Sequence, residues 1–113
     1  MPTDKFTTEP VSKTVEVTFN GATIAHSKKT LLLREGNHAP VYYFPRSDVN
    51  FDVLKKTGHL THWPHKGDAS YYSITVGGQT AENAIWSYED PVDVAQDIKE
   101  YLAFYPDQVK ISD

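Results

Sequence analysis

The run Thr61-His62-Trp63-Pro64-His65-Lys66-Gly67-Asp68-Ala69-Ser70-Tyr71-Tyr72 gathers two imidazoles, an ammonium, a carboxylate, hydroxyls and three aromatic rings. Buried charges need partners, and buried imidazoles or phenols need hydrogen bonds, so the run is expected at a cleft or at the surface. Within it, His62 and Asp68 are the types needed for general acid–base work, an imidazole to carry the proton and a carboxylate to orient it. Thr61, Ser70 and Ser73 offer hydroxyls, but no Gly-x-Ser-x-Gly elbow occurs. The plainer alternative leaves Asp68 bonding in its own turn and the serines as ordinary strand residues.

Ligand binding is the competing chemistry. Arg46 follows Tyr43-Phe44-Pro45, and Lys66 sits beside Gly67, where a missing side chain allows close backbone approach. A planar guanidinium fork and a point charge together suit one anionic group, although each can instead pair with a nearby acid or lie solvated. There is no Walker-type phosphate loop and no Gly-x-Gly-x-x-Gly fingerprint. Tyr42, Tyr43, Trp63, Tyr71, Tyr72, Trp86 and Tyr88 fall on expected strands or their edges. Neighbours in a strand alternate faces, so one of Tyr42/Tyr43 and one of Tyr71/Tyr72 should enter the core while the other faces a groove or solvent.

Metal binding is weaker. His59, His62 and His65 are spaced three apart, with His26 and His38 elsewhere. That spacing shares a face only in a helix, and Pro64 and Gly67 argue against one, so an extended segment scatters the rings. No metal and no cofactor is expected.

The whole chain bounds these choices. Its 113 residues fit one domain. A net charge of −4 offers no general cationic field for a phosphate backbone, so nucleic acid is not an expected partner. The absence of cysteine excludes disulfides, thiolate metal sites and thiol nucleophiles from this chain. No apolar run approaches the roughly 20 residues of a membrane span, and no signal-peptide h-region is visible. The chain is read as soluble and cytoplasmic, with no membrane partner.

The elements that must position these residues are mostly strands. Residues 1–13 alternate threonine, charge and proline around Phe6 and Val11 and read as a flexible N-terminal arm, leaving a single domain over 14–113. Val15, Val17 and Phe19 alternate into Asn20-Gly21, the strongest short hairpin signal, followed by Ala22 and Ile24. Thr30–Arg34 and Val41–Phe44 read as strands, and Phe51–Leu54 as either a short strand or a helical turn. Ala69–Val76 and Ala84–Tyr88 make a second hairpin around Gly77-Gly78, with a few turn-like residues between them. Asp90-Pro91 looks like a helix cap and first position, and Val92, Ala95 and Ile98 or Lys99 space a short amphipathic helix near residues 91–99. After it the chain stays helical to Leu102 or becomes a strand at Tyr101–Phe104.

Four ordered motifs carry a family resemblance: Phe19-Asn20-Gly21 with Ile24-Ala25 and Ser27; Val41-Tyr42-Tyr43-Phe44-Pro45-Arg46-x-Asp48; Thr61-His62-x-Pro64-x-Lys66-Gly67-Asp68-Ala69-Ser70-Tyr71; and Ala84-x-Trp86-x-Tyr88-x-x-Pro91 with Phe104-Tyr105. Together they resemble the domain-of-unknown-function 427 family, which also carries a nucleotidyltransferase-like label. The resemblance implies a mainly β, single-domain β-tent, related in shape to Mss4-like zinc-binding and methionine-sulfoxide-reductase folds. It implies no mechanism, and the residues show no Gly-Ser turn followed by paired metal-binding aspartates. Relatives commonly carry Cys at the position of Trp63 and Tyr or Phe at that of His65, so a thiol mechanism cannot operate here.

The leading expectation is a binding domain whose pocket, lined by Tyr43, Arg46, His62, Lys66 and Trp86, takes a small polar, anionic or ring-containing molecule. The alternatives are a small hydrolase or transferase using His62 with Asp68, and a non-catalytic protein-interaction domain.

Overall fold

In a computed structural model, which describes residues 6–113, the alternating runs become strands. In chain order these are β1 (Phe6–Val11), β2 (Val15–Phe19), β3 (Ala22–Ser27), β4 (Thr30–Glu35), β5 (Val41–Tyr43), β6 (Leu54–Trp63), β7 (Gly67–Val76), β8 (Gln79–Ser87), β9 (Leu102–Phe104) and β10 (Lys110–Ser112). They form three antiparallel sheets, ordered β1-β4-β5, β10-β2-β3 and β6-β7-β8-β9. The fold is mainly β, as expected, and among the described residues no helix is long and apolar enough to cross a membrane.

Both expected hairpins form. Asn20 (φ 49°) and Gly21 (φ 81°) turn β2 into β3 with the two left-handed residues that a tight hairpin of matching twist requires. The Asn20 side-chain amide donates to the Val76 carbonyl at 2.9 Å, tying this turn to the end of β7. In the second hairpin the residues after Gly78 are strand rather than turn, because β8 begins at Gln79. The irregularity that makes them look turn-like is a register shift opposite Ser73, where Asn83 adopts φ 51° and donates its backbone N–H to the Ser73 hydroxyl at 3.0 Å. Phe51–Val53 is a 3-10 turn capped by the Asn50 side chain, and β6 follows directly.

Two expectations need correction. The N-terminal segment is not a free arm over its whole length: Phe6–Val11 pairs antiparallel with β4, from Phe6 opposite Glu35 to Val11 opposite Thr30. Pro10 is tolerated because β1 is an edge strand that does not need every N–H in a ladder. The rest of the expected arm, residues 1–5, lies outside the described residues. The helix expected near 91–99 is a 3-10 segment, Asp93–Ile98, broken at Ala95 (φ −111°, ψ 16°). Asp90 and Pro91 do not start it, because Val92 is extended (φ −63°, ψ 163°) and stands as the N-cap; its N–H donates to the Lys66 carbonyl at 2.9 Å, docking this loop on the β6–β7 turn. Ala95 and Ile98 still bury the apolar positions that the spacing marked.

The sheets set up two apolar layers. An antiparallel bridge between Phe44 and Leu102 joins the edges of β5 and β9, so the first and third sheets run side by side. Along β7 and β9, Tyr72, Ile74, Leu102 and Phe104 pack with Val15, Val17 and Ile24 of the β2–β3 hairpin. Their neighbours Tyr71 and Ala103 face the other way, into a second cluster with Leu33, Tyr43, Tyr88 and Ile98. Strand alternation thus gives one face to the main core and the other to the wall of a cleft.

Gly67 opens β7 at φ 115°, and a Cβ there would stand 3.3 Å from the Pro91 Cα. We expect Gly67→Ala to lower stability by about 1–3 kcal/mol in denaturant unfolding, through left-handed strain and displacement of the 90–92 loop. An unchanged midpoint would contradict this close approach.

Candidate functional site

The cleft has a volume of about 460 Å³ and lies where β4, β5, β7 and β8 present one face beneath the end of β6. Period-two alternation selects its walls: Leu33 and Glu35 from β4, Val41 and Tyr43 from β5, Tyr71 from β7 and Trp86 from β8. Tyr88 and Tyr105 follow the ends of β8 and β9, and Thr61, His62, Trp63 and Lys66 come from β6 and its turn.

Its charged element is an ion pair. The Lys66 ammonium meets the Glu35 carboxylate at 2.5 Å, with the two side chains only 7% and 10% exposed. The ammonium also lies 5.3 Å from the ring centres of both Phe6 and Trp63, an electrostatically favourable position over aromatic faces. The second Glu35 oxygen accepts the Trp63 indole N–H at 3.3 Å. The charge of Lys66 is therefore compensated inside the protein, and both carboxylate oxygens are occupied.

The remaining wall is aromatic with polar tips. Tyr43 and Trp86 meet edge to face at 6.3 Å, and the Trp86 indole donates to the Tyr43 hydroxyl at 3.1 Å. Trp86 packs against Tyr105 at 4.6 Å. The Tyr71 hydroxyl lies 2.9 Å from the Thr61 hydroxyl and 3.4 Å from that of Tyr105. Burial pushes the Tyr43 phenol well above its ordinary range, against the opposing effect of the Trp86 hydrogen bond. Tyr105 is also raised, first by burial and then by its bond with Tyr71. Tyr88 is pushed up to about 12 by burial, with Tyr71 and the Glu35 carboxylate adding to the effect. These phenols remain neutral at physiological pH and act as hydroxyl donors or acceptors.

His62 and Asp68 are direct cross-strand partners, and their Nδ1 and Oδ1 atoms lie 2.7 Å apart at the cleft rim. Both side chains are open to solvent, at 67% and 75% exposure. The hydroxyls proposed to work with them are committed elsewhere: Thr61 to Tyr71, Ser70 to Glu89 at 3.2 Å and Ser73 to the Asn83 backbone. His59 packs on Tyr71 at 4.5 Å, and His65 lies 6.4 Å from the Trp63 ring centre. Among the described residues, no group of three or more His, Cys, Asp or Glu side chains is arranged to hold a metal ion.

The structure thus brings Tyr43, His62, Lys66 and Trp86 to one cleft and puts Asp68 beside His62, but it does not bring Arg46 there. Arg46 starts a 3-10 turn, Arg46–Asp48. Its guanidinium lies over Phe51 at 5.0 Å and Tyr72 at 5.9 Å, and it pairs with Glu89 at 3.4 Å. The reason is the strand period: Tyr71 faces the cleft, so Tyr72 and the side chains around it belong to the opposite face. Two residues that matter to the cleft, Glu35 and Tyr105, were not singled out as site residues. Glu35 is detectable, since Leu31, Leu33 and Glu35 share a face by alternation; Tyr105 stands in the Phe104-Tyr105 motif of the family resemblance, but no strand pattern places it at the cleft.

Glu89 gathers Lys56 at 2.7 Å, Tyr72 at 2.8 Å and Ser70 at 3.2 Å. Burial opposes its charge, but the bonds from Lys56, Tyr72 and Ser70 outweigh that cost and hold the carboxyl below its ordinary value. A carboxylate depressed on folding stabilises the protein above its unfolded pKa and loses that contribution as pH falls through the folded value. Glu89→Gln is therefore expected to flatten the loss of stability on acidification below about pH 4.5, followed by denaturant unfolding at stepped pH. For the cleft, Lys66→Met strands the Glu35 carboxylate and is expected to cost about 3–5 kcal/mol, whereas Lys66→Met with Glu35→Leu recovers a large part of the loss. Equal stability of the single and double variants would show that the pair is not coupled.

The family comparison covers almost the entire chain. No curated protein matches it. A family model described as a domain of unknown function matches residues 7–113, so β1, absent from the four motifs read in the sequence, is part of the family unit. The chain belongs to the domain-of-unknown-function 427 family.

Proposed function

We propose that this domain is a cytoplasmic binding module that takes a small ring-containing polar molecule into the aromatic cleft. The observation that carries the reading is the cleft itself, about 460 Å³ and walled by Tyr43, Trp63, Tyr71, Trp86, Tyr88 and Tyr105. Ligand sites are typically concavities of roughly 300–1,000 Å³ with mostly apolar walls and a few placed polar groups. Trp86 and Tyr105 offer faces for the ring, the phenols supply orientation, and His62 reaches the ligand from the rim. Cytoplasmic placement suits a chain whose fold uses no disulfide.

The Lys66–Glu35 pair argues against an anion as the main determinant, because Lys66 already has its counterion. Arg46 plays no part in this reading. A second reading, hydrolase or transferase chemistry, is favoured by the 2.7 Å His62–Asp68 contact, which is the geometry of an oriented base. It requires water or a substrate hydroxyl as the nucleophile, since the nearby protein hydroxyls are bonded elsewhere.

A thermal-shift screen of nucleobases, nucleosides, sugars and aromatic acids tests the binding reading, because a ligand selective for the native state raises the unfolding midpoint. At least one ring compound is expected to raise it by several degrees, with Trp86→Leu removing the shift and Arg46→Ala preserving it. A flat panel sinks the proposal. Turnover abolished by His62→Gln with binding retained would instead establish the catalytic reading.

A further inference from the structure

We infer that the cleft selects an uncharged planar ring bearing a carbonyl-type acceptor, a cyclic or aryl amide being the simplest such group, held by the Tyr43 and Tyr88 hydroxyls. The inference rests on the binding reading above and specifies its ligand class.

Two phenol protons on the cleft walls, those of Tyr43 and Tyr88, have no acceptor among the described residues. The Tyr43 hydroxyl accepts the Trp86 indole N–H at 3.1 Å, and among the described residues no acceptor takes its own proton. Tyr88 lines the cleft while only 7% exposed, and its hydroxyl has no hydrogen-bond partner among the described residues. By contrast, both Glu35 oxygens are occupied, by Lys66 and by Trp63. A carbonyl oxygen entering this space gives these protons an acceptor that water must otherwise supply.

Charge decides the rest. An ion entering a partly enclosed site gives up hydration and must be repaid by an opposite charge. The two charged groups at the cleft base repay each other, and Phe6 and Trp63 already cover the Lys66 ammonium. Among the described residues of the lining, an anion therefore finds no Lys or Arg other than the paired Lys66, and it sits near a carboxylate whose field is felt at Tyr43 and Tyr88. A cation finds aromatic faces, but among the described residues of the lining the one carboxylate, Glu35, is already paired. A neutral ring loses least on entry and keeps the stacking surface of Trp86 and Tyr105.

Calorimetric titration of the intact protein with benzamide, benzoate, benzyltrimethylammonium and toluene tests this, since the four share a ring and differ in charge and acceptor. Benzamide is expected to bind tightest, about tenfold above toluene and further above both ions. Tyr88→Phe is expected to lower benzamide affinity several-fold toward that of toluene while leaving toluene unchanged, with Tyr43→Phe as the second variant should the first fail to fold. Tighter binding of benzoate or benzyltrimethylammonium, or undiminished benzamide affinity in both phenylalanine variants, overturns the inference and leaves the binding reading standing. Failure of all four compounds to bind overturns this inference; the thermal-shift panel alone decides the broader reading.

Discussion

The buried contact between Lys66 and Glu35 is the constraint on which the cleft depends. It joins the β6–β7 turn to the end of β4, two parts of the chain that share no strand pairing, and so fixes the distance between two sheets. An ammonium and a carboxylate this enclosed must remain together, because separating either from its partner leaves an uncompensated charge in a poor solvent for ions. Phe6 and Trp63 complete the enclosure, which gives β1 a place in the site despite its position at a sheet edge. The same loop carries the Lys66 carbonyl that holds Val92, so one turn organises the ion pair and the segment packed behind it.

Around that pair the fold uses the simplest rule of strands twice. Odd-numbered residues Leu33, Val41, Tyr43 and Tyr71 line the cleft, while Tyr72 and Ile74 on the reverse face bind the β2–β3 hairpin into the main core. The result is a thin wall with one side open to the cleft and the other packed into the core. Adjacent tyrosines in Tyr42-Tyr43 and Tyr71-Tyr72 serve different neighbours for this reason: Tyr42 donates to Asp113 at 2.7 Å and Tyr72 to Glu89 at 2.8 Å, whereas Tyr43 and Tyr71 face the cleft.

Much of this was legible in the chain, and the misses have physical causes. Hairpins declare themselves because Asn20-Gly21 and Gly77-Gly78 require left-handed backbone, a purely local property. The face assigned to Arg46 was not local: a residue just beyond a strand and before a 3-10 turn can emerge on either side, and long-range packing against Phe51 and Tyr72 decides. Phe6–Val11 looked like a free arm because its pairing depends on a distant strand rather than on its own composition. The segment near Asp93 carries the right apolar spacing for a helix, but Val92 is extended and Ala95 departs from helical angles, so only 3-10 turns form.

The chain has two tryptophans, and their indole N–H groups report on different parts of the cleft: Trp86 on the aromatic wall through Tyr43, Trp63 on the ion pair through Glu35. Nuclear magnetic resonance of these two indole protons during titration with a neutral ring amide therefore tests the central claim most directly. The account predicts a large, saturable shift of the Trp86 indole with a small response at Trp63. Saturable binding that leaves the Trp86 indole unmoved would contradict it.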